Sequence, residues 1–309
     1  MALNTTTTAS DLLLAAMIEK EVNLLLFDRV QLRKVPGAVT YHGTVNGSGS
    51  AVKRVRYIGL DGYDAMASTG ETASTSSTTI TDANADITVA RLALEYDSTD
   101  LVAMVEPGGN LSPERLARAM AGAAEKGFNV VLVNVGDDWT TDAVDSAVAM
   151  TADDAYDASF QLELNSVDGP YFGMLHPRQH THMRDSLRGE GGPAQYVDAT
   201  QAQVTETMGQ GYQGRWLGIE WYNASQVLSA GGKRLGWVHG AGALGYADGN
   251  PDIQMGGTTI IRPAGDNPAV YAEVARDAAG AFSKVVGNYF VGAAITEQAR
   301  GYGLNTSST

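Results

Sequence analysis

Two strand-forming runs, separated by a stretch with almost nothing to bury, constrain this chain more than any other feature. Residues 51–60 and 78–96 carry β-branched, aromatic and aliphatic residues at strand-like spacing: Val52, Val55, Tyr57 and Ile58 in the first, Ile80, Ile87, Val89, Leu92, Leu94 and Tyr96 in the second. The intervening residues 61–77 are almost all Gly, Ser, Thr, Ala and Asp, a composition that cannot build a core of its own. A long two-stranded ribbon with such a tip is marginal in isolation. The pattern therefore predicts a ribbon lying on a neighbouring copy of the chain, and it points to assembly rather than catalysis.

The rest of the composition agrees. A compact chain of 309 residues and 32.5 kDa buries about three quarters of its unfolded surface, enough for a sizeable core in one or two domains. Twenty-one basic residues against 35 acidic ones leave a net charge of −14, which repels nucleic-acid phosphates and anionic membranes. The absence of cysteine excludes disulfides, thiolate metal sites and cysteine nucleophiles. Neither a signal peptide nor a membrane-length apolar run is visible, which predicts an intracellularly made protein without a membrane partner.

Along the chain, residues 10–27 read as an amphipathic helix, with Ser10 as N-cap and Leu14, Met17, Ile18, Val22 and Leu25 at helical spacing. A docked helix and an arm packed on a neighbour explain it equally well. The best-signalled helix begins with Ser112 as N-cap, Pro113 in the first turn and Glu114 at the positive end of the dipole. Leu116, Met120, Ala124 and Phe128 form its apolar stripe. Gly127 ends that helix by local rules and Val130–Val133 favours a strand, although tertiary packing could carry it on to Val135. Thr151, Asp153 and Asp154 start another helix through Phe160, Leu162 and Leu164. Residues 171–175 read as a buried strand followed by a helix to Leu187. Further strands are expected at 217–222, 234–238, 241–246, 259–262, 270–274 and 285–295, with a helix also open around Tyr271 and Val274.

Chemistry-bearing patterns are few. Gly240, Gly242 and Gly245 match GxGxxG after a strand, but a dinucleotide site needs a helix starting there, and Asp248-Gly249-Asn250-Pro251 interrupts the chain within three residues. His176, His180 and His182 invite a metal, yet Pro177 intervenes and no fourth ligand is identifiable. Asp137, Asp138 and Asp142, like Asp153, Asp154 and Asp157, lack a calcium-loop frame and read as caps and solvated faces. Lys53, Arg54 and Arg56 are the notable basic cluster. Strand alternation puts Arg54 and Arg56 on one face and Lys53 on the other, so the arginines read as a stripe for an acidic neighbour. No catalytic, cofactor-binding or metal constellation emerges, and no enzyme activity is expected.

Taken in order, a basic ribbon near the N-terminus, an Ala-rich helix, a mixed region and a β-rich return resemble the tailed-phage major capsid proteins of the HK97 fold over nearly the whole chain. Local text agrees: Asp97-Ser-Thr-Asp-Leu101 before the long helix, residues 173–187 as strand then helix, residues 214–221 and residues 285–292 as strands. The resemblance implies an α+β fold with an N-terminal arm (1–36), an extended β-ribbon loop (37–97), a peripheral domain (98–148 and 258–309) whose spine helix runs past Gly127, and an axial domain (149–257). It implies a shell protein that assembles with itself into hexamers and pentamers enclosing double-stranded DNA, without sequence-specific binding. Its partners would be a separate scaffolding protein, a portal and decoration proteins, and its place the virion after assembly in the host cytoplasm. Candidate intersubunit contacts are Lys53, Arg54, Arg56, Tyr57, Tyr63 and Glu71. Some members of the family link a loop-tip lysine to a neighbour's asparagine, but none of the six lysines here lies in 61–77, so noncovalent contacts are expected. The alternatives are an encapsulin-type nanocompartment shell, a phage tail-tube or fibre protein and, from another class, a nucleotide-binding enzyme using Gly240–Gly245.

Overall fold

The computed structural model describes residues 32, 35, 37–46, 48–60, 80, 82–99, 113–189, 197–198, 212–249, 271–277 and 282–307. The expected helix at 10–27, the tip at 61–77, the Ser112 cap and the strand at 259–262 lie outside them. In chain order the elements are β1 (Thr40–Thr44), β2 (Val52–Ile58), β3 (Asp82–Thr88), β4 (Ala90–Thr99), α1 (Pro113–Asn134), β5 (Asp142–Asp145), α2 (Ala152–Leu164), β6 (Tyr171–Leu175), α3 (Pro177–Gly189), β7 (Val197–Asp198), β8 (Tyr212–Trp216), β9 (Ile219–Asn223), β10 (Ser229–Ala230), β11 (Lys233–Gly240), β12 (Leu244–Asp248), β13 (Tyr271–Asp277), β14 (Phe282–Ile295) and β15 (Gly301–Ser307).

Local chemistry shapes α1 less than packing does. Met120, Ala124, Phe128 and Leu132 fall every four residues and are all buried, and the Phe128 ring stands edge-on to Tyr246 and Tyr289. The helix passes straight through Gly127 and the β-branched run after it. Glycine and valine cost a helix together about 1–2 kcal/mol, whereas burying Leu132 and Val133 each returns about 1.5–3 kcal/mol. Gly127 also has a use here, because a Cβ at that position would stand 3.2 Å from Leu92 Cδ1 on β4. The helix continues as the resemblance implied, against the local signal.

Two larger sheets flank this helix. In the smaller, β14 pairs antiparallel with β4, β12 and β13, and β1 joins parallel to β12; the open question at Tyr271 and Val274 resolves as strand. The larger runs β5-β15-β11-β6-β9-β8-β7, with β10 on β11. Its side chains alternate between two cores. Phe172, Met174 and Trp237 join α1 and the smaller sheet on one face, while Leu175, Trp221 and Val238 meet the residues of α2 and α3 on the other.

Several boundaries differ from expectation, among them the strand expected at 241–246, which begins only at Leu244, and that expected at 285–295, which begins at Phe282. The run at 78–96 is two strands: β3 pairs with β2 in full register, from Val52↔Thr88 to Ile58↔Asp82, and after Val89 β4 leaves to pair with β14. The strand expected from Leu217 starts at Ile219, because Leu217 and Gly218 form the hairpin turn with φ of +53° and +75°. Finally β15, glycine-rich and unmarked as a strand by propensity, lies in the larger sheet between β11 and β5. A Cβ on Gly301 would stand 2.3 Å from Trp139 and one on Gly303 2.1 Å from Asp142, so these glycines let the strand lie against bulky neighbours.

Candidate functional site

The ribbon carries most of the residues singled out from the sequence. Arg54 sits opposite Asp86 in the β2–β3 register and grips it with two hydrogen bonds, Nε and Nη2 each donating to a carboxylate oxygen at 2.8 and 2.9 Å. This bond holds Asp86 below its ordinary carboxylate pKa and Arg54 above its own. The proposed stripe is therefore engaged within its own ribbon at Arg54, while Arg56, opposite Asn84, is exposed with no ion pair among the described residues. The alternation Asp82-Ala-Asn84-Ala-Asp86 was the signal in the sequence for this cross-strand pairing. Lys53 lies on the other face near Gly43, and its charge and burial together lower the pKa of His42, burial contributing more. Tyr63 and Glu71 lie outside the described residues.

Tyr57 leads to a contact that sequence reasoning missed. Glu297, nearly buried between β14 and β15, accepts a hydrogen bond from the Leu60 N–H at 2.6 Å and pairs with Arg300. Burial, then the Glu297 charge, raises the Tyr57 pKa. The outer end of β2 is thus tied to a point 237 positions away in sequence. The other end is rooted as closely: a Cβ on Gly292 of β14 would stand 2.0 Å from the Thr88 carbonyl oxygen, and Ile87 is fully buried. The ribbon lies on its own subunit at both ends of its described length.

The remaining motifs bring no chemistry together. Gly240–Gly245 is the end of β11, a turn with Gly242 at φ +77°, and the start of β12. No helix follows, and the turn is bonded internally: the Gly242 N–H donates to Gly37 and the Ala243 N–H to Gly240, while Thr296 donates to the Gly242 and Ala243 carbonyls. The turn therefore offers no helix N-terminus to a pyrophosphate, and its Gly242 and Ala243 amides are already bonded. His176 Nδ1 accepts from the Arg178 N–H ahead of α3, and His180 is buried on that helix. No group of three or more metal-binding side chains assembles among the described residues. An apolar cleft of about 350 Å³ opens between α1 and β4, lined by Leu92, Leu94, Met120, Gly127 and Tyr289, with Arg91 at its edge. No described helix is long and apolar enough to cross a membrane.

No family model matches the sequence, and no curated protein sequence matches it. Solved structures match it over most of its length. The SrpI encapsulin of Synechococcus elongatus, in its holo complex, is 10% identical, with a TM-score of 0.58 over 87% of this chain and 84% of its own. The capsid of Ralstonia phage GP4 is also 10% identical, with a TM-score of 0.60 over 88% and 87%. The capsid of an empty GTA particle gives 11%, 0.60 and 90% of both chains. With its sheet-rich α+β make-up, long central helix and rooted ribbon, this chain has the HK97-like capsid fold.

Proposed function

We propose that this chain is the major shell protein of a phage-type head, assembling with itself into hexamers and pentamers that enclose double-stranded DNA. The observation carrying the reading is that the fold match spans about nine tenths of this chain and of its shell-forming neighbours alike. The net charge of −14 supports it, because an acidic wall confines DNA without adhering to it. In this reading 1–36 is the arm and 37–97 the extended loop; 98–148 with 258–309 forms the peripheral domain and 149–257 the axial one. The strands β12 and β15 cross over, each completing the sheet of the other domain. Scaffold, portal and decoration proteins are the expected partners, and the virion, after assembly in the host cytoplasm, is the expected location.

The encapsulin match favours one second reading, a nanocompartment around protein cargo. Negative-stain microscopy of particles purified from an expressing host, with their contents extracted, tests both. Closed particles holding nuclease-protected DNA support a head; a protein cargo supports a nanocompartment. A compact monomer under all assembly conditions overturns both.

A further inference from the structure

The sequence predicts a ribbon lying on a neighbouring copy, yet both ends of its described length rest on its own subunit. The way it is fastened accounts for the difference. β2 and β3 form a sheet of their own, paired with neither larger sheet. Of their inward side chains, Val55, Tyr57, Ala83 and Ala85 are only half-buried, and full burial is reached at the root, at Ile87. A two-stranded ribbon so lightly covered is marginal, and its outer end stays down only where something holds it. Glu297 does so. The Leu60 N–H donates to its Oε1 at 2.6 Å, and a Cβ on Gly59 would stand 3.4 Å from the same oxygen. Arg300 pairs with the other carboxylate oxygen and keeps it in place, while the Leu60 side chain packs half-buried against the core under α2 and α3.

The root, by contrast, can turn. Residues 48–51 are exposed. Gly49 has φ +72° and open space where a Cβ would stand, and Ser48 and Ser50 make their hydrogen bonds within the turn. On the other strand the pivot is Val89, whose N–H closes the ribbon on the Ala51 carbonyl just before β4 departs toward β14. We propose that the Glu297 contact is an autoinhibitory clasp: it straps the ribbon to its own subunit in the unassembled chain, and its release lets the ribbon swing about this root onto a neighbouring copy. One hydrogen bond to a carboxylate shifts such a two-state equilibrium by about tenfold or more. That keeps the ribbon down in the free subunit and yields to the larger contact area of an assembled one. The proposal rests on the shell reading and deepens it, naming the contact that must open before copies join.

The lack of native cysteine makes the test direct. In the full-length chain Ala85→Cys places a single thiol on the inward face of the ribbon, and its rate of maleimide labelling in unassembled protein reports lifting. Glu297→Ala should speed labelling about tenfold and lower the concentration at half assembly by a similar factor, because more of the chain is competent. Glu297→Gln, whose side-chain oxygen still accepts from Leu60, should stay near the wild-type values. Leu60→Pro removes the same hydrogen bond while leaving Glu297 and Arg300 in place, and it should behave like Glu297→Ala; it decides the matter if Glu297→Ala does not fold. Unchanged labelling in the folded clasp variants overturns the proposal, as does an equal gain in Glu297→Gln, which would trace the effect to the Arg300 pair. Faster labelling with unchanged or weakened assembly also overturns it and leaves the shell reading standing. A wild-type chain that never assembles, with clasp variants that never assemble either, overturns the shell reading itself.

Discussion

His239 is fully buried between the rings of Phe172 and Trp237, 5.5 and 5.1 Å away centroid to centroid. Its Nδ1–H donates to the Gly240 carbonyl at 2.7 Å, yet burial dominates and lowers its pKa from 6.5 to about 4. A histidine kept neutral in the fold but free to protonate when unfolded stabilises fully above pH 6.5 and loses that contribution as pH falls toward 4. The expected slope of its contribution approaches one proton, about 1.4 kcal/mol per pH unit. Urea unfolding of the wild type and of His239→Gln between pH 7 and 4 measures it; equal pH slopes would show that His239 carries none of it. Trp237 constrains a second position. A Cβ on Gly136 would stand 1.7 Å from Trp237 Cδ1, so Gly136→Ala should lower stability by about 1–3 kcal/mol, read from the same melts. The two sites differ in legibility from others at this scale. The Thr151–Asp154 cap was readable because its partners are three residues apart. The need for glycine at 136, 301 and 303 was not, because the side chains they accommodate come from other elements.

Among elements, ribbon and long helix show where local rules hold and where they yield. The β2–β3 pairing followed the alternation in the sequence, and the alternating polar positions of β3 made the Arg54–Asp86 pair findable. That pair is largely exposed and contributes little to stability, so its service is to register. The end of the ribbon at Val89 and the helical continuation through Gly127 depend on what lies across from them, β14 in one case and Leu92 in the other. Deleting 61–77 and closing the ribbon with Asn-Gly should leave the subunit folded, since the tip has no core to contribute, but impair assembly. Melting temperature and particle yield are the measurements. A sharp fall in melting temperature with normal particles would place the tip in the core of the subunit.

At the scale of the whole molecule, the placement of lysines decides how subunits can be joined. Lys53 lies eight residues before the tip at Asp61, roughly 26 Å along a strand, beyond the reach of its side chain, while Lys233 and Lys284 pair with Asp145 and Glu95 of their own subunit. Boiled particles should therefore run as a single band near 32.5 kDa; a ladder of higher multiples would refute this and make Lys53 the first residue to replace. The sequence by itself determined the local pieces: alternation, capping and charge are properties of neighbouring residues, and they pointed to a ribbon, an Ala-rich helix starting at Pro113 and an acidic composition. Only the tertiary structure decided that β12 joins the smaller sheet and β15 the larger, that Glu297 holds Leu60, and that Tyr156, Phe160 and Leu164 face outward on α2. Those outcomes depend on which distant surfaces meet, and the burial gained there, several kcal/mol per large side chain set, outweighs the fraction of a kcal/mol that local propensity assigns to each residue.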